Sequence, residues 1–274
     1  MVDGSPIHYL LWGEAHRPGL VLVHGGAAHA HWWSHIAPMF LPEYSVAALD
    51  MSGAGDSGRR SSYSLDQWSD EVVAVGHDAG FSGRPVVVGH SMGGFVTINT
   101  AARHCDEIGG VVVIDSPVTE PDPEVKEGKH GQSFRSPKTY PTREEAVARF
   151  RTVPPQDHYE PYIMANVAWH SLTQADDGWT WKFDPAVFES ASKRHEAAEL
   201  ISRVNCRVAL FRAEHGLVTP TIGEYMYEQL GRVAPVIELP TAGHHPMLDV
   251  PLLLITGLRT LLADWNHSEP IPRS

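Results

Sequence analysis

Short apolar runs without polar alternation recur along this chain, and most end abruptly in glycine, aspartate or histidine. Residues 20–23 run into His24-Gly25-Gly26-Ala27-Ala28, residues 44–49 into Asp50, and residues 110–114 into Asp115-Ser116-Pro117. Runs this short and continuous predict strands buried on both faces of a sheet. Residues 7–12, 86–88, 207–211 and 236–239 read as further strands. Between them the apolar period changes. In residues 64–80, Leu65, Trp68, Val72 and Val75 fall on one helical face behind Ser64, a suitable N-cap. Residues 219–231 and 248–265 also read as helices, and another follows Gly94. Strands alternating with helices predict a parallel sheet with helices on both faces. Ligands bind such sheets beyond the carboxyl ends of the strands. The loop at Gly25, Ser91, Asp115, the Glu214 loop and the His244 loop all follow strand ends, so the candidate chemistry gathers on one edge.

The clearest stretch is Val86-Val87-Val88-Gly89-His90-Ser91-Met92-Gly93-Gly94. An apolar run enters Gly-x-Ser-x-Gly and a helix leaves it, the context a nucleophile elbow requires. A serine hydroxyl is a weak nucleophile at neutral pH and needs an adjacent base. A histidine can take its proton and return it to the leaving group. Gly243-His244 before an apolar helix makes His244 the candidate base, with His245 as runner-up. The glycines after residue 23 leave backbone N–H groups free to stabilise an oxyanion, with Gly26 the first choice of donor and Ala27 the second. Asp50 to Gly58 is turn-rich but lacks the lysine of a phosphate-binding loop, and reads as a tight loop held by Asp and Ser side chains.

After Pro117 the texture changes. Residues 117–141 are rich in proline and charge with no apolar period, and helical stretches follow near 143–151, 159–171 and 185–195. This divides the chain into a core, residues 1–116 and 196–274, and an inserted cap, residues 117–195. The proline-rich part of the insert is expected to move as a lid, because it has little apolar surface to anchor it. The tail 266–274 is expected to fray.

Composition narrows the function. The formal charge is −12, from 33 acidic and 21 basic residues, which argues against nucleic acid or an anionic membrane as partner. No apolar run approaches the roughly 18–20 residues of a membrane span. The start, Met1-Val2-Asp3-Gly4, lacks the basic-then-apolar pattern of a signal peptide. Two cysteines, Cys105 and Cys206, make no disulfide framework. Together these features favour the cytoplasm. No metal-ligand spacing or cofactor motif is found, and His29-Ala30-His31 reads as a helix-start coincidence.

At this point the chain resembles the α/β-hydrolase superfamily over nearly its whole length. His24-Gly25-Gly26 resembles the family's oxyanion loop, Asp50 to Gly58 its D-x-x-G-x-G-x-S loop, and Gly89 to Gly93 its elbow. Gly243 to Pro251 resembles the loop carrying the catalytic histidine. The resemblance implies an eight-stranded, mostly parallel sheet with helices on both faces, often with a helical cap inserted after the sixth strand. It also implies a second oxyanion donor at Met92, after the nucleophile. One departure concerns the acid. Many members place it after the seventh strand, but there Arg212-Ala213-Glu214-His215-Gly216 has Gly216 where an Asp is expected. Some members carry it after the sixth strand, where Asp115 stands. Asp115 is the preferred acid and Glu214 the alternative, with Asp249 read as structural.

A serine nucleophile disfavours the carboxylate-based dehalogenase and epoxide-hydrolase chemistries of the superfamily. The expected reaction is hydrolysis of a carboxylic ester, a lactone or aryl ester included, through an acyl-enzyme. The alternatives are C–C bond hydrolysis, perhydrolysis or cyanohydrin cleavage on the same triad, or a non-catalytic small-molecule receptor. Trp32, Trp33, Met164, Trp169, Trp181 and Phe183 suggest a pocket for an apolar or aromatic group, or simply the packing of a cap.

Overall fold

Strands β2 (Gly19–Val23) and β3 (Ser45–Leu49) are buried at every residue. So is β5 (Gly110–Ile114), while β4 (Val86–His90) is buried from Val87 onward. The reason is visible in the alternation of their side chains. Val21, Val23, Ala47, Leu49, Val87, Val111 and Val113 enter one hydrophobic cluster with Trp68, Phe95 and Val96. Leu20, Leu22, Val46, Ala48, Val88, Val112 and Ile114 enter the other, with Trp33, Phe40 and Leu254. Each face of the sheet therefore has its own helical cover, as continuous apolar strands require.

The computed structural model describes residues 1–120, 134, 137–188 and 193–268. Among the described residues its main sheet has seven strands, in the order β1 (Tyr9–Trp12), β3, β2, β4, β5, β8 (Val208–His215) and β9 (Val236–Gly243). Strand β1 runs antiparallel to β3. The rest, including β8 and β9, pair parallel. Eight strands are expected from the resemblance, and the described residues form seven in this sheet. Residues 1–8 add no strand ahead of β1, because Val2 pairs back on Ser5 across Asp3 and Gly4, both at positive φ.

Helices α1 (Leu65–Asp78), α2 (Met92–Arg103), α6 (Pro220–Gln229), α7 (Pro246–Asp249) and α8 (Pro251–His267) surround the sheet. Ser64 caps α1 by accepting the N–H of Gln67. The closing helix expected over 248–265 is divided at Val250, before Pro251, which has no N–H to continue the ladder.

Within the insert, α3 (Arg143–Ala148) and α4 (Pro161–His170) match expected helices. The insert is not wholly helical, however. A hairpin of β6 (Leu172–Ala175) and β7 (Gly178–Trp181) follows α4, turning at Asp176-Asp177. The Asp177-Gly178 dipeptide is the kind of turn signal that would have found it. The helix expected over 185–195 begins as a short 3-10 turn, Pro185–Phe188, and resumes as α5 (Lys193–Leu200), which crosses the expected boundary at 195. Residues 189–192, most of the proline-rich stretch assigned to a lid, and 269–274 of the tail lie outside the described residues.

Candidate active site

Ser91 lies between β4 and α2 with φ 54° and ψ −118°. A non-glycine residue holds this left-handed conformation only where its surroundings impose it. Here the Ser91 N–H donates to the Ile114 carbonyl (3.0 Å), and its own carbonyl accepts the Gly94 N–H (2.9 Å). The turn is so tight that a Cβ at Gly93 would strike the carbonyl oxygens of Val23 and His24. Strand β4 thus delivers the serine hydroxyl to the sheet edge on a turn that admits no side chain at Gly93.

Strand β9 delivers His244 to the same edge. His244 Nε2 stands 3.0 Å from Ser91 Oγ, and His244 Nδ1 stands 2.7 Å from Asp115 Oδ2. A carboxylate can only accept, so Nδ1 carries the proton and Nε2 keeps its lone pair toward the serine. Asp115 ends β5 with φ 43°. Its carboxylate also accepts the N–H groups of Leu217 (2.7 Å), Val218 (3.2 Å) and Ala213 (3.3 Å). Burial pushes the Asp115 carboxyl up, but His244 and these backbone donors outweigh it and hold it below the usual carboxylate range.

The structure brings Asp115, not Glu214, to the histidine. Glu214 is exposed and its Oε2 accepts the Thr241 N–H (2.7 Å). It also explains Gly216. A Cβ there would collide with the Asp115 carboxylate, so the acid and any side chain at 216 compete for one space.

His90, which the sequence reading passed over, braces the base. Its Nε2 donates to the His244 carbonyl at 2.7 Å. His245 hydrogen-bonds neither Ser91 nor Asp115. Its N–H donates to Gln156 Oε1 of the insert (2.9 Å), and its ring packs on Trp32. Asp249 accepts the Gly243 N–H (2.6 Å) and so also fixes the histidine loop.

The glycine loop after β2 runs beside the serine. A side chain at Gly25 would come within 3.3 Å of Ser91 Cβ. The N–H groups of Gly26, Ala27 and Met92 donate to no acceptor among the described residues. Gly26, Ala27 and His245 line a cavity of about 300 Å³, with Trp32, Phe150 and Trp181 forming apolar wall. Trp32, Trp181 and Phe183 reach it, but three other residues picked from the sequence do not. Trp33 is fully buried beneath the sheet, Met164 packs on the same core cluster, and Trp169 faces solvent under the Arg143 guanidinium at 3.7 Å. Tyr140 and Phe150 line the cavity instead.

Among the described residues, two groups of side chains have the proximity to hold a metal ion: His90, His244 and His245, and His8, Asp50 and Asp56. In both, ligand atoms are already engaged, His244 on Ser91 and Asp115, and His8 Nδ1 on Asp50 Oδ2 (2.7 Å).

Burial holds three histidines around the site, His24, His29 and His90, toward the neutral form. His24 Nε2 accepts the Met51 N–H (3.1 Å), so its Nδ1 donates to the Gly25 carbonyl (2.7 Å). Burial pushes His24 below its ordinary 6.5. Burial likewise brings His29 down to about 3, and burial together with His244 brings His90 down to about 3. Below about pH 6.5 the unfolded chain takes up protons that the folded chain refuses, so stability falls with falling pH. The expected result is a melting temperature near its plateau at about pH 7 that drops steeply between about pH 6.5 and 4. Thermal melts followed by circular dichroism test this. A flat profile down to about pH 4.5 would show that these histidines are not held neutral.

A profile of the alpha/beta hydrolase family matches residues 20–255. Epoxide hydrolase 4 of Mus musculus is 31% identical over 118 residues, 42% of this chain. That match covers 33% of the relative, so the chain spans about a third of its length. The pimeloyl acyl-carrier-protein methyl ester esterase of Neisseria meningitidis is 24% identical over 236 residues, covering 83% of this chain and 86% of the relative. Among solved structures, a thioesterase domain from the curacin biosynthetic pathway superposes with a TM-score of 0.78. It covers 94% of this chain and 97% of that one at 19% identity, a likeness of fold.

Proposed function

Because the chain belongs to the alpha/beta hydrolase family, we propose that it is a serine hydrolase that cleaves a carboxylic ester with Ser91, His244 and Asp115. One observation carries this reading: the continuous path from Ser91 Oγ through both nitrogens of His244 to Asp115. The similarity to a methyl ester esterase over most of both chains supports the bond type. The serine favours acyl transfer over the chemistry named for the epoxide hydrolase relative.

In the first half-reaction Ser91 Oγ attacks the ester carbonyl carbon while His244 Nε2 takes its proton. The carbonyl oxygen becomes an oxyanion, which the N–H groups of Gly26 and Met92 receive. These donors need no rearrangement, since they are unpaired beforehand. Collapse of the adduct breaks the ester C–O bond, and the leaving alkoxide takes the proton from His244. Water then gives a proton to His244 and attacks the acyl-enzyme, releasing the acid and restoring Ser91. Asp115 fixes the tautomer and offsets the positive charge on His244 throughout.

Residues 117–195 act as a cap that supplies the substrate walls. The insert is tied to the body through Gln156 on the histidine loop, Ser171 on His29 (2.9 Å) and Lys182 on Asp56 (2.8 Å). The partner is a small molecule with an apolar or aromatic part. No described helix is long and apolar enough to cross a membrane, and the two cysteines, which form no disulfide, suit a reducing, cytoplasmic setting.

A fluorophosphonate probe should form one adduct, at Ser91, and Ser91→Ala should abolish it along with turnover of short p-nitrophenyl esters. Peptide mass spectrometry locates the adduct. Labelling elsewhere, or ester turnover surviving in Ser91→Ala, would end this reading.

A further inference from the structure

The mouth of the cavity carries a charge pattern that ester hydrolysis alone does not explain. Its inner wall is apolar, with Trp32, Phe150 and Trp181. Its lining also includes Lys138, Arg149 and Arg151, all exposed, and, among the described residues, no aspartate or glutamate. This is unexpected in a chain with 33 acidic and 21 basic residues. Several basic side chains elsewhere pair with acids, Arg60 with Glu71, Arg103 with Asp66, Lys182 with Asp56, and Arg232 with Glu224. At the mouth they do not. Among the described residues, Lys138 and Arg149 form no ion pair, and Arg151 donates only to the carbonyls of Ala148 (3.1 Å) and Phe150 (2.6 Å). Three like charges on one rim, with no acid beside them among the described residues, favour an anion there.

We infer that this rim is an anion subsite and that the substrate is an ester bearing a free carboxylate, such as the half-ester of a dicarboxylic acid. The inference rests on the serine-hydrolase reading for the bond cleaved, and adds to it which esters are taken. A volume of about 300 Å³ is at the small end for ligand sites, which favours a compact carboxylate over a bulky anionic group. The apolar wall between the glycine loop and the rim suits a short methylene chain joining ester to carboxylate. Arginine offers a planar fork to such a group, and lysine a point charge. The net charge of −12 sets this basic rim apart from the chain's overall balance.

Binding and turnover can be read separately. In Ser91→Ala, which leaves the ester intact, isothermal titration calorimetry would compare monomethyl glutarate with methyl valerate, its neutral counterpart of similar length. The half-ester should bind about tenfold more tightly at low ionic strength, and the ratio should shrink in about 0.5 M salt. Adding Lys138→Gln and Arg149→Gln should bring the ratio close to one. Equal affinity for the two ligands, or a ratio unmoved by the two substitutions, would overturn the anion subsite. A clear preference for the half-ester in Ser91→Ala, with no hydrolysis of any ester by the unaltered enzyme, would instead leave the subsite standing and overturn the esterase reading.

Discussion

Asp115→Asn should lower kcat/KM for a p-nitrophenyl ester by roughly 10³–10⁴-fold, while Glu214→Gln should change it by less than about threefold. The asymmetry follows from what each acid touches. Asp115 Oδ2 is 2.7 Å from His244 Nδ1, and both side chains are almost fully buried. An asparagine amide in that place can offer its N–H₂ to Nδ1, which turns the proton of the imidazole toward Ser91 and leaves no lone pair to take the serine proton. Glu214 serves the backbone of Thr241 at the protein surface, so its loss disturbs the end of β9 without reaching the base. Fluorophosphonate labelling should slow in parallel with turnover in Asp115→Asn. A large loss in Glu214→Gln with Asp115→Asn near normal would move the acid and refute the assignment.

Gly216→Asp should be the most damaging single change at the site. It places a carboxylate where many relatives of this fold are expected to have one, yet here the position is taken. The new Cβ would collide with the carboxylate of Asp115, and two buried negative charges would share one set of donors. A destabilisation of about 3 kcal/mol or more is expected, near 10 °C in Tm, with loss of activity. The clash can be removed from the other side. Residue 115 sits at φ 43°, which glycine adopts without strain. Asp115→Gly alone should fold but be nearly inactive. Combined with Gly216→Asp, it should regain thermal stability and at least about tenfold of the lost activity, because the relocated carboxylate approaches the same nitrogen of His244. Melting curves and kcat/KM for the four proteins decide it. A double variant no better than Asp115→Gly would show that the two strand ends are not interchangeable sources of the acid.

The residues that meet at the serine were legible because each follows a buried strand. Val86 to Val88 announces Ser91, Val111 to Ile114 announces Asp115, and residues 236–239 lead to His244. A strand fixes both where its end lies and which way the next residue points, so the pattern gathers these residues on one edge, while the preference for Asp115 over Glu214 came from the resemblance. The number of strands was not legible in that way, because the missing one came from the resemblance and residues 1–8 fold back locally instead. The cavity walls were less accessible still. Trp33 and Trp32 are neighbours in sequence, yet one is sealed in the core and the other faces the cavity. Trp169 is drawn outward by Arg143, a contact between helix α4 and the start of α3 that no local period encodes. Tyr140 and Phe150 became wall residues only through the docking of the insert on the body. His90 was overlooked because the position between glycine and serine in the elbow carries no chemical requirement of its own; its role appears only when β9 is placed beside β4.

That bond from His90 to the His244 carbonyl has a further consequence for how the site behaves at working temperature. The residue holding the base is the one immediately before the nucleophile in the chain. The bond ties the loop after β9 to the elbow on β4, so a displacement shared by the two carries His244 and Ser91 together and leaves their 3.0 Å separation unchanged. The arrangement filters out shared displacement and passes only relative displacement, so thermal agitation of the surrounding loops need not become misalignment between base and nucleophile.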